Sequence, residues 1–351
     1  MLRAIELSKI GFPAPNPPVG CVLFKDGRIV AEGHPTFHGG PHGEAVALAN
    51  AGSEAAGSTA YVTLEPCNHH GKTPPCSDAL IQAGVKEVFI AVRDPNPKAA
   101  GGIEKLQSAG IKVTCGLMQV EAARENQAFL FAMKARRPYV NLKLASTLDG
   151  YAARLDGTSK WITGEEARRA GHVRRATMGC VLTGAGTVQK DDPELTARVE
   201  GVVNQPLKVI LDPSARLTGK ERCLQDNFIW FVGEGKKTSD SQTEMQTVNG
   251  VFDLNAVLKD LLARGVVGVL VESGPTVFRS FLAAGLAERI DAFWGPISFG
   301  SGLPWMGQDE LSLTEQGWQL ESAGALNQDL FAVYSQEKRV FGTIFEGSLS
   351  Q

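Results

Sequence analysis

His42-Gly43-Glu44-Ala45, then Thr63-Leu64-Glu65-Pro66-Cys67-Asn68-His69-His70-Gly71-Lys72-Thr73-Pro74-Pro75-Cys76, is the stretch around which this chain is organised. One imidazole and two thiolates are a ligand set that suits Zn²⁺, and they leave the fourth tetrahedral position open for a water. An open position separates a catalytic zinc from a structural one. Glu44 stands two residues after His42, so a helix beginning here holds its carboxylate near the metal as a proton carrier and not as a ligand. A structural zinc or three unrelated residues are the bland alternatives. Glu44, Pro66 and the spacing count against both.

His-x-Glu followed by Pro-Cys is the pattern of zinc-dependent nucleobase deaminases, in which it ends Pro-Cys-x-x-Cys. Here eight residues separate Cys67 from Cys76. The insertion brings donors and a cation beside the metal, which suits a phosphorylated ligand better than a bare base.

At 351 residues the chain has room for two domains, each with its own core. A composition of 43% hydrophobic and 21% charged residues is that of an ordinary globular protein. The net charge of −3 and the short basic clusters at Lys134–Arg137 and Arg174-Arg175 disfavour nucleic acid as a partner. No apolar run approaches the ~18 residues of a membrane span, and the first twelve residues lack the apolar core of a signal peptide. Six cysteines are too few for a disulfide framework. Cys21, Cys115, Cys180 and Cys223 read as small buried residues, and a reducing cytoplasm fits best.

A helix at the N-terminus, the stiff Pro13-Ala14-Pro15-Asn16-Pro17-Pro18 loop and a hairpin turning at Lys25-Asp26-Gly27-Arg28 precede the metal stretch. Residues 60–64 form a strand that delivers Glu65-Pro66-Cys67 at its carboxyl end, and residues 88–92 form another, followed by Asp94-Pro95-Asn96-Pro97. Helices alternating with short apolar strands imply a sheet covered on both faces, with ligands at the strands' carboxyl ends. The boundary falls in Ala135-Arg136-Arg137-Pro138, giving domains of 1–137 and 138–351. A second α/β series follows, in which residues 234–249 read as a polar loop.

The chain resembles the bifunctional riboflavin-biosynthesis family, a diaminohydroxyphosphoribosylaminopyrimidine deaminase fused to a 5-amino-6-(5-phosphoribosylamino)uracil reductase. The resemblance is carried by Asn16-Pro17-Pro18-Val19-Gly20, the zinc stretch, Asp94-Pro95-Asn96-Pro97, Lys143-Leu144-Ala145-Ser146-Thr147-Leu148-Asp149-Gly150 and Ser159-Lys160-Trp161-Ile162-Thr163. Gly184-Ala185-Gly186-Thr187, Asp191-Asp192-Pro193 and Val271-Glu272-Ser273-Gly274-Pro275-Thr276 extend it over nearly the whole chain. It implies a cytidine-deaminase-like three-layer α/β/α domain followed by a dihydrofolate-reductase-like α/β domain. It further implies zinc on His42, Cys67 and Cys76, Glu44 as proton shuttle, and a phosphorylated pyrimidine held by Asn16, His69, Lys72, Asp94 and Asn96.

For the second domain the resemblance implies NADPH along Ala145, Trp161, Thr163, Thr187, Gly274, Pro275 and Thr276, and substrate on Ser159, Arg175, Asp191, Leu195, Arg198 and Glu272. Lys143 and Asp191 are the candidates for handling the proton and the developing charge. There is no Gly-x-Gly-x-x-Gly fingerprint; Gly274-Pro275-Thr276, between a strand and a helix, could still offer backbone N–H groups to a pyrophosphate. Taken singly, these residues have plainer readings: Asn16 and Asn96 as turn formers, Trp161 as a core aromatic, Arg175 and Arg198 as solvated charges. His34, His38, His70 and His172 read as surface or loop histidines. Gly43, where the family usually has alanine, is expected only to weaken a helix start by ~1 kcal/mol at most. A deaminase with a silent reductase half is the alternative function, and compact domains are compatible with a homo-oligomer.

Overall fold

The computed structural model describes residues 1–69, 74–306 and 312–346, so Lys72 lies outside the described residues. The chain forms two compact units, Met1–Lys134 with Gly201–Asn204, and Ala135–Glu200 with Gln205–Gln351. Among the described residues no helix is long and apolar enough to cross a membrane.

The first unit runs α1 (Leu2–Ser8), β1 (Cys21–Lys25), β2 (Arg28–Gly33), α2 (Gly43–Ala51), β3 (Thr59–Leu64), α3 (Cys76–Gln82) and β4 (Glu87–Val92). It continues through α4 (Gly102–Ser108), β5 (Lys112–Cys115), α5 (Gln119–Glu125) and α6 (Gln127–Ala135). The hairpin turns on Asp26 and Gly27, both at positive φ as a two-residue turn requires. Its sheet has the order β2-β1-β3-β4-β5, antiparallel on either side of β1 and parallel from β3 to β5. Alternation along β1 sends Cys21 and Leu23 into a core with Ala47, Leu80 and Leu106, while Val22 packs with Ala4 and Leu7 of α1. Helices therefore cover both faces, giving three layers. Cys115 departs from the buried reading: β5 is an edge strand, and its last residue is exposed.

Both parallel strands β3 and β4 end on the same side, which brings Cys67 and the Asp94 loop to one edge of the sheet. The Asn16 loop reaches that edge because its far end is pinned. Gly20 N–H donates to Thr63 Oγ1 at 3.1 Å, and Thr63 N–H donates to Gly20 O at 3.1 Å. Helices press on this backbone from two directions: a Cβ on Gly20 would lie 1.8 Å from Ala4 O, and one on Gly43 would lie 2.2 Å from Val19 O. Glycine at 43 is therefore a packing requirement here, and helix propensity is the smaller effect.

The second unit runs β6 (Tyr139–Thr147), β7 (Tyr151–Ala153), α7 (Glu165–Met178), β8 (Cys180–Gly184), α8 (Ala185–Asp191), β9 (Leu207–Asp212), β10 (Phe228–Gly233) and β11 (Gln242–Met245). Next come β12 (Thr247–Val248), β13 (Val251–Phe252), α9 (Leu254–Ala263), β14 (Gly268–Val271), α10 (Pro275–Ala283) and β15 (Arg289–Gly295). β16 (Leu303–Pro304), β17 (Gln319–Leu326), β18 (Asp329–Ser335) and α11 (Glu337–Ile344) complete it. The main sheet has the order β11-β10-β9-β8-β14-β6-β15-β18-β17, parallel from β11 to β15 and antiparallel over the last two strands. β6 is central, with Val140, Leu142 and Leu144 in the core beside Phe278 and Phe281 of α10.

The polar segment 234–249 is not wholly a loop. β11 pairs in parallel with β10, and buried Gln242 uses its side-chain oxygen to accept from Thr238 N–H at 2.6 Å and Ser239 N–H at 3.1 Å. Backbone pairing at a sheet edge here outweighs weak apolar patterning.

Gly20→Ala should lower the stability of the protein by about 1–3 kcal/mol through forced overpacking against α1. Urea denaturation followed by circular dichroism checks this; an unchanged midpoint would contradict the close approach.

Two candidate active-site clefts

His42 is the N-cap of α2, Glu44 lies in that helix's first turn, Cys67 follows β3, and Cys76 opens α3. Two helix starts and one strand end thus converge. His42 Nδ1 lies 3.3 Å from Cys76 Sγ and 3.6 Å from Cys67 Sγ, and a ligand atom from each of the three residues lies within 4.8 Å of the others. Cys76 N–H points at Cys67 Sγ, 3.4 Å away. The hydrogen bond from the Cys76 thiol, then contacts with His42 and this N–H, hold the Cys67 thiol well below its ordinary range.

Glu44 is 3% exposed, and its Oε2 has no hydrogen-bond partner among the described residues. Burial pushes its carboxyl up to about 7, against the pull of His42. The residues fit a zinc ion: one imidazole and two thiols converge, and one oxygen of a buried carboxylate beside them has no partner among the described residues.

A cavity of about 340 Å³ opens over this set, and Asn16, His69, Asp94 and Asn96 line it together with His42, Glu44 and Cys67. Asp94 Oδ1 accepts from Asn96 N–H at 2.8 Å, and Asn96 Oδ1 accepts from Lys98 N–H at 3.1 Å. Both side chains therefore shape the turn as well as face the cavity. Burial raises the Asp94 carboxyl to about 6. His38, which the sequence suggested as a surface or loop histidine, lines the cavity, as do Glu65 and Phe129, to which the sequence assigned no role. His38 and Phe129 carry no pattern linking them to the metal motif, while Glu65 stood inside the motif.

In the second unit a larger cleft, about 1060 Å³, is lined by Lys143, Ala145, Ser159, Trp161, Thr163, Arg175, Thr187, Asp191, Leu195, Arg198, Glu272, Gly274, Pro275 and Thr276. Every second-domain residue singled out from the sequence thus faces one cavity. At its centre Glu272 Oε1 accepts from Lys143 Nζ at 2.8 Å, while Arg175 donates to both carboxylate oxygens at 2.7 and 2.9 Å. Burial alone would raise the Glu272 carboxyl, but the two cations outweigh it and hold it well below the usual range.

Gly274 N–H donates to Thr187 Oγ1 at 3.1 Å, which ties the start of α10 to the first turn of α8. Asp191 ends α8, and Asp192 closes it in a left-handed turn, its Oδ1 accepting from Arg222 N–H at 2.9 Å.

The plainer readings divide. Trp161 is 69% exposed, with the Arg168 guanidinium 4.7 Å from its ring centroid, so it is not a core aromatic. Arg175 is a partly buried ion-pair member, whereas Arg198 is exposed and pairs with Glu194. His172 lies on α7 and lines the cleft, and Arg216 and Arg222 do so as well. Cations scattered this widely in sequence gave no signal.

Residues 138–331 match the family described as RibD C-terminal domain, and residues 1–92 match the cytidine and deoxycytidylate deaminase zinc-binding region. Riboflavin biosynthesis protein RibD of Aquifex aeolicus is 42% identical, covering 86% of this chain and 88% of its own length. That of Escherichia coli is 41% identical with the same coverage. Among solved structures, Acinetobacter baumannii RibD superposes with a TM-score of 0.86 at 38% identity, covering 95% of this chain and 97% of that one. The Thermotoga maritima diaminohydroxyphosphoribosylaminopyrimidine deaminase/5-amino-6-(5-phosphoribosylamino)uracil reductase gives 0.84 at 38% identity, with the same coverage.

A Glu272 pKa lower in the folded than in the unfolded chain means that its carboxylate adds stability above the ordinary carboxyl pKa of ~4.3 and loses that contribution as pH falls below it. The stability gap between wild type and Glu272→Gln, measured by urea denaturation, should therefore stay constant from about pH 7 to about pH 5 and narrow as pH falls below ~4. A gap independent of pH would contradict the ion-pair assignment.

Proposed function

The chain belongs to the RibD family of bifunctional riboflavin-biosynthesis enzymes, a deaminase joined to a reductase, and from that premise we propose how its own residues divide the work. We assign 1–137 to deamination of 2,5-diamino-6-ribosylamino-4(3H)-pyrimidinone 5′-phosphate and 138–351 to NADPH-dependent reduction of the ribosyl group to ribityl. The convergence of His42, Cys67 and Cys76 beside Glu44, whose Oε2 has no hydrogen-bond partner among the described residues, carries the first assignment.

In the deaminase half, His42, Cys67 and Cys76 would hold zinc, whose Lewis acidity makes water nucleophilic near neutral pH. Deamination replaces a ring amino group by oxygen from water and releases ammonia. Glu44, with a pKa near 7 from burial, suits a group that moves one proton to the ring nitrogen and then to the departing amine. Asn16, His69, Asp94 and Asn96 bind and orient the pyrimidine and ribose, and Lys72 supplies point charge for the phosphate.

In the reductase half, bound NADPH would supply hydride for reduction of the ring-opened imine at ribose C1. Ala145, Trp161, Thr163, Thr187 and the Gly274-Pro275-Thr276 helix start line its place. Arg216 and Arg222, paired with Asp212 and Glu194, belong to a lining in which eight Lys and Arg outnumber four Asp and Glu, and this excess of positive charge favours the phosphorylated dinucleotide over NADH. Ser159, Arg175, Asp191, Leu195, Arg198 and Glu272 hold the substrate. Lys143, aimed by its bond to Glu272, and Asp191 manage the proton that accompanies hydride transfer. Six free thiols agree with a reducing cytoplasm.

Ammonia release and NADPH oxidation, followed separately on zinc-loaded protein, test the division. Glu44→Gln should lower kcat/KM for ammonia release by about 10²–10⁴-fold and leave reduction of supplied deaminated intermediate intact. Stripping the metal with a chelator should have the same selective effect. Ammonia release without NADPH oxidation, even when the intermediate is supplied, would leave a deaminase with a silent partner domain.

A further inference from the structure

Glu65 precedes Pro66-Cys67 and had no role in the sequence reading. Its backbone N–H donates to Val92 O at 2.8 Å, one step beyond the last β3–β4 pair, Leu64 with Val92. Its side chain is buried, and both oxygens are engaged by backbone. Oε2 accepts from Asp94 N–H at 3.1 Å; Oε1 accepts from Gly101 N–H at 3.0 Å and Ile103 N–H at 3.2 Å. One carboxylate thus grips both ends of the segment from Asp94 to Ile103.

Asn68 adds a second tie: its N–H donates to Ala99 O at 2.9 Å and its Nδ2 to Gly101 O at 3.3 Å. The approach leaves no room for a side chain at Gly102, where a Cβ would lie 1.9 Å from Pro66 O.

We infer that Glu65 is a positioning residue of the deaminase half, whose carboxylate fixes Asp94 and Asn96 relative to Cys67 and thereby sets how substrate is seated over His42, Cys67 and Cys76. The inference rests on the reading of Asp94 and Asn96 as substrate contacts. Three N–H donors meet two oxygens, an arrangement a carboxylate satisfies and an amide does not, because the amide must turn its own NH₂ toward at least one donor. A buried N–H left without an acceptor pulls the loop away from its seat.

The test uses the zinc-loaded full chain and measures kcat and KM for ammonia release, zinc per chain and the thermal midpoint in Glu65→Gln, Gly102→Ala and Asn96→Ala. NADPH oxidation on supplied intermediate is the internal control. Glu65→Gln should keep its zinc and raise KM about tenfold with kcat within about threefold. A merely structural role would lower zinc content and thermal midpoint without separating KM from kcat. Should Glu65→Gln lose its metal, Gly102→Ala probes the same contact from the opposite side and should shift KM likewise. Wild-type KM in both, with KM raised in Asn96→Ala, overturns the inference alone; wild-type KM in all three overturns it together with the loop reading.

Discussion

Three ligand atoms on residues 42, 67 and 76 must meet within a few ångströms, and the rest of the first unit is arranged so that they do. His42 and Cys76 stand at the starts of α2 and α3, so that two helix N-termini present them to one point. Cys67 stands just past the end of β3, at the edge of the sheet where parallel strands deliver their following loops. Because β4 runs parallel to β3, the Asp94 loop arrives at the same edge, and the cavity is walled by segments whose ends are already fixed.

The second unit solves a different problem by the same means. Glu272 follows β14 and Lys143 lies on β6, adjacent strands of the sheet, while Arg175 comes from α7. A carboxylate placed there unpaired would be costly, and two cations compensate it. The pairing also orients Lys143, so that one partly buried network fixes three charged side chains along the cleft. The Gly274–Thr187 hydrogen bond fixes two helix starts against each other along the same wall.

Close backbone approach recurs at both levels of this design. Gly20 and Gly43 admit helices α1 and α2 against the strand that anchors the Asn16 loop, and Gly102 admits α4 against Pro66. Such contacts place functional loops with backbone atoms, which have fewer degrees of freedom than side chains, and this suits a site that must hold a substrate against a metal.

By itself the sequence determined which residue types could serve a zinc site, since His42, Glu44, Pro66 and Cys67 are local motif residues and the cluster of His42, Cys67 and Cys76 fits zinc. It also determined the alternation of strands and helices, because hydrophobic period is written within each segment. Tertiary structure alone decided which residues share a cavity and in what electrostatic company. His38 and Phe129 enter the first cleft and His172, Arg216 and Arg222 the second without any motif to mark them. The paired state of Arg175 and the grip of Glu65 on Asp94 and Ile103 likewise depend on partners 29 to 97 positions away. Periodicity reports which way a side chain points from its own element, whereas burial, ion pairing and pKa depend on what the rest of the chain packs against it.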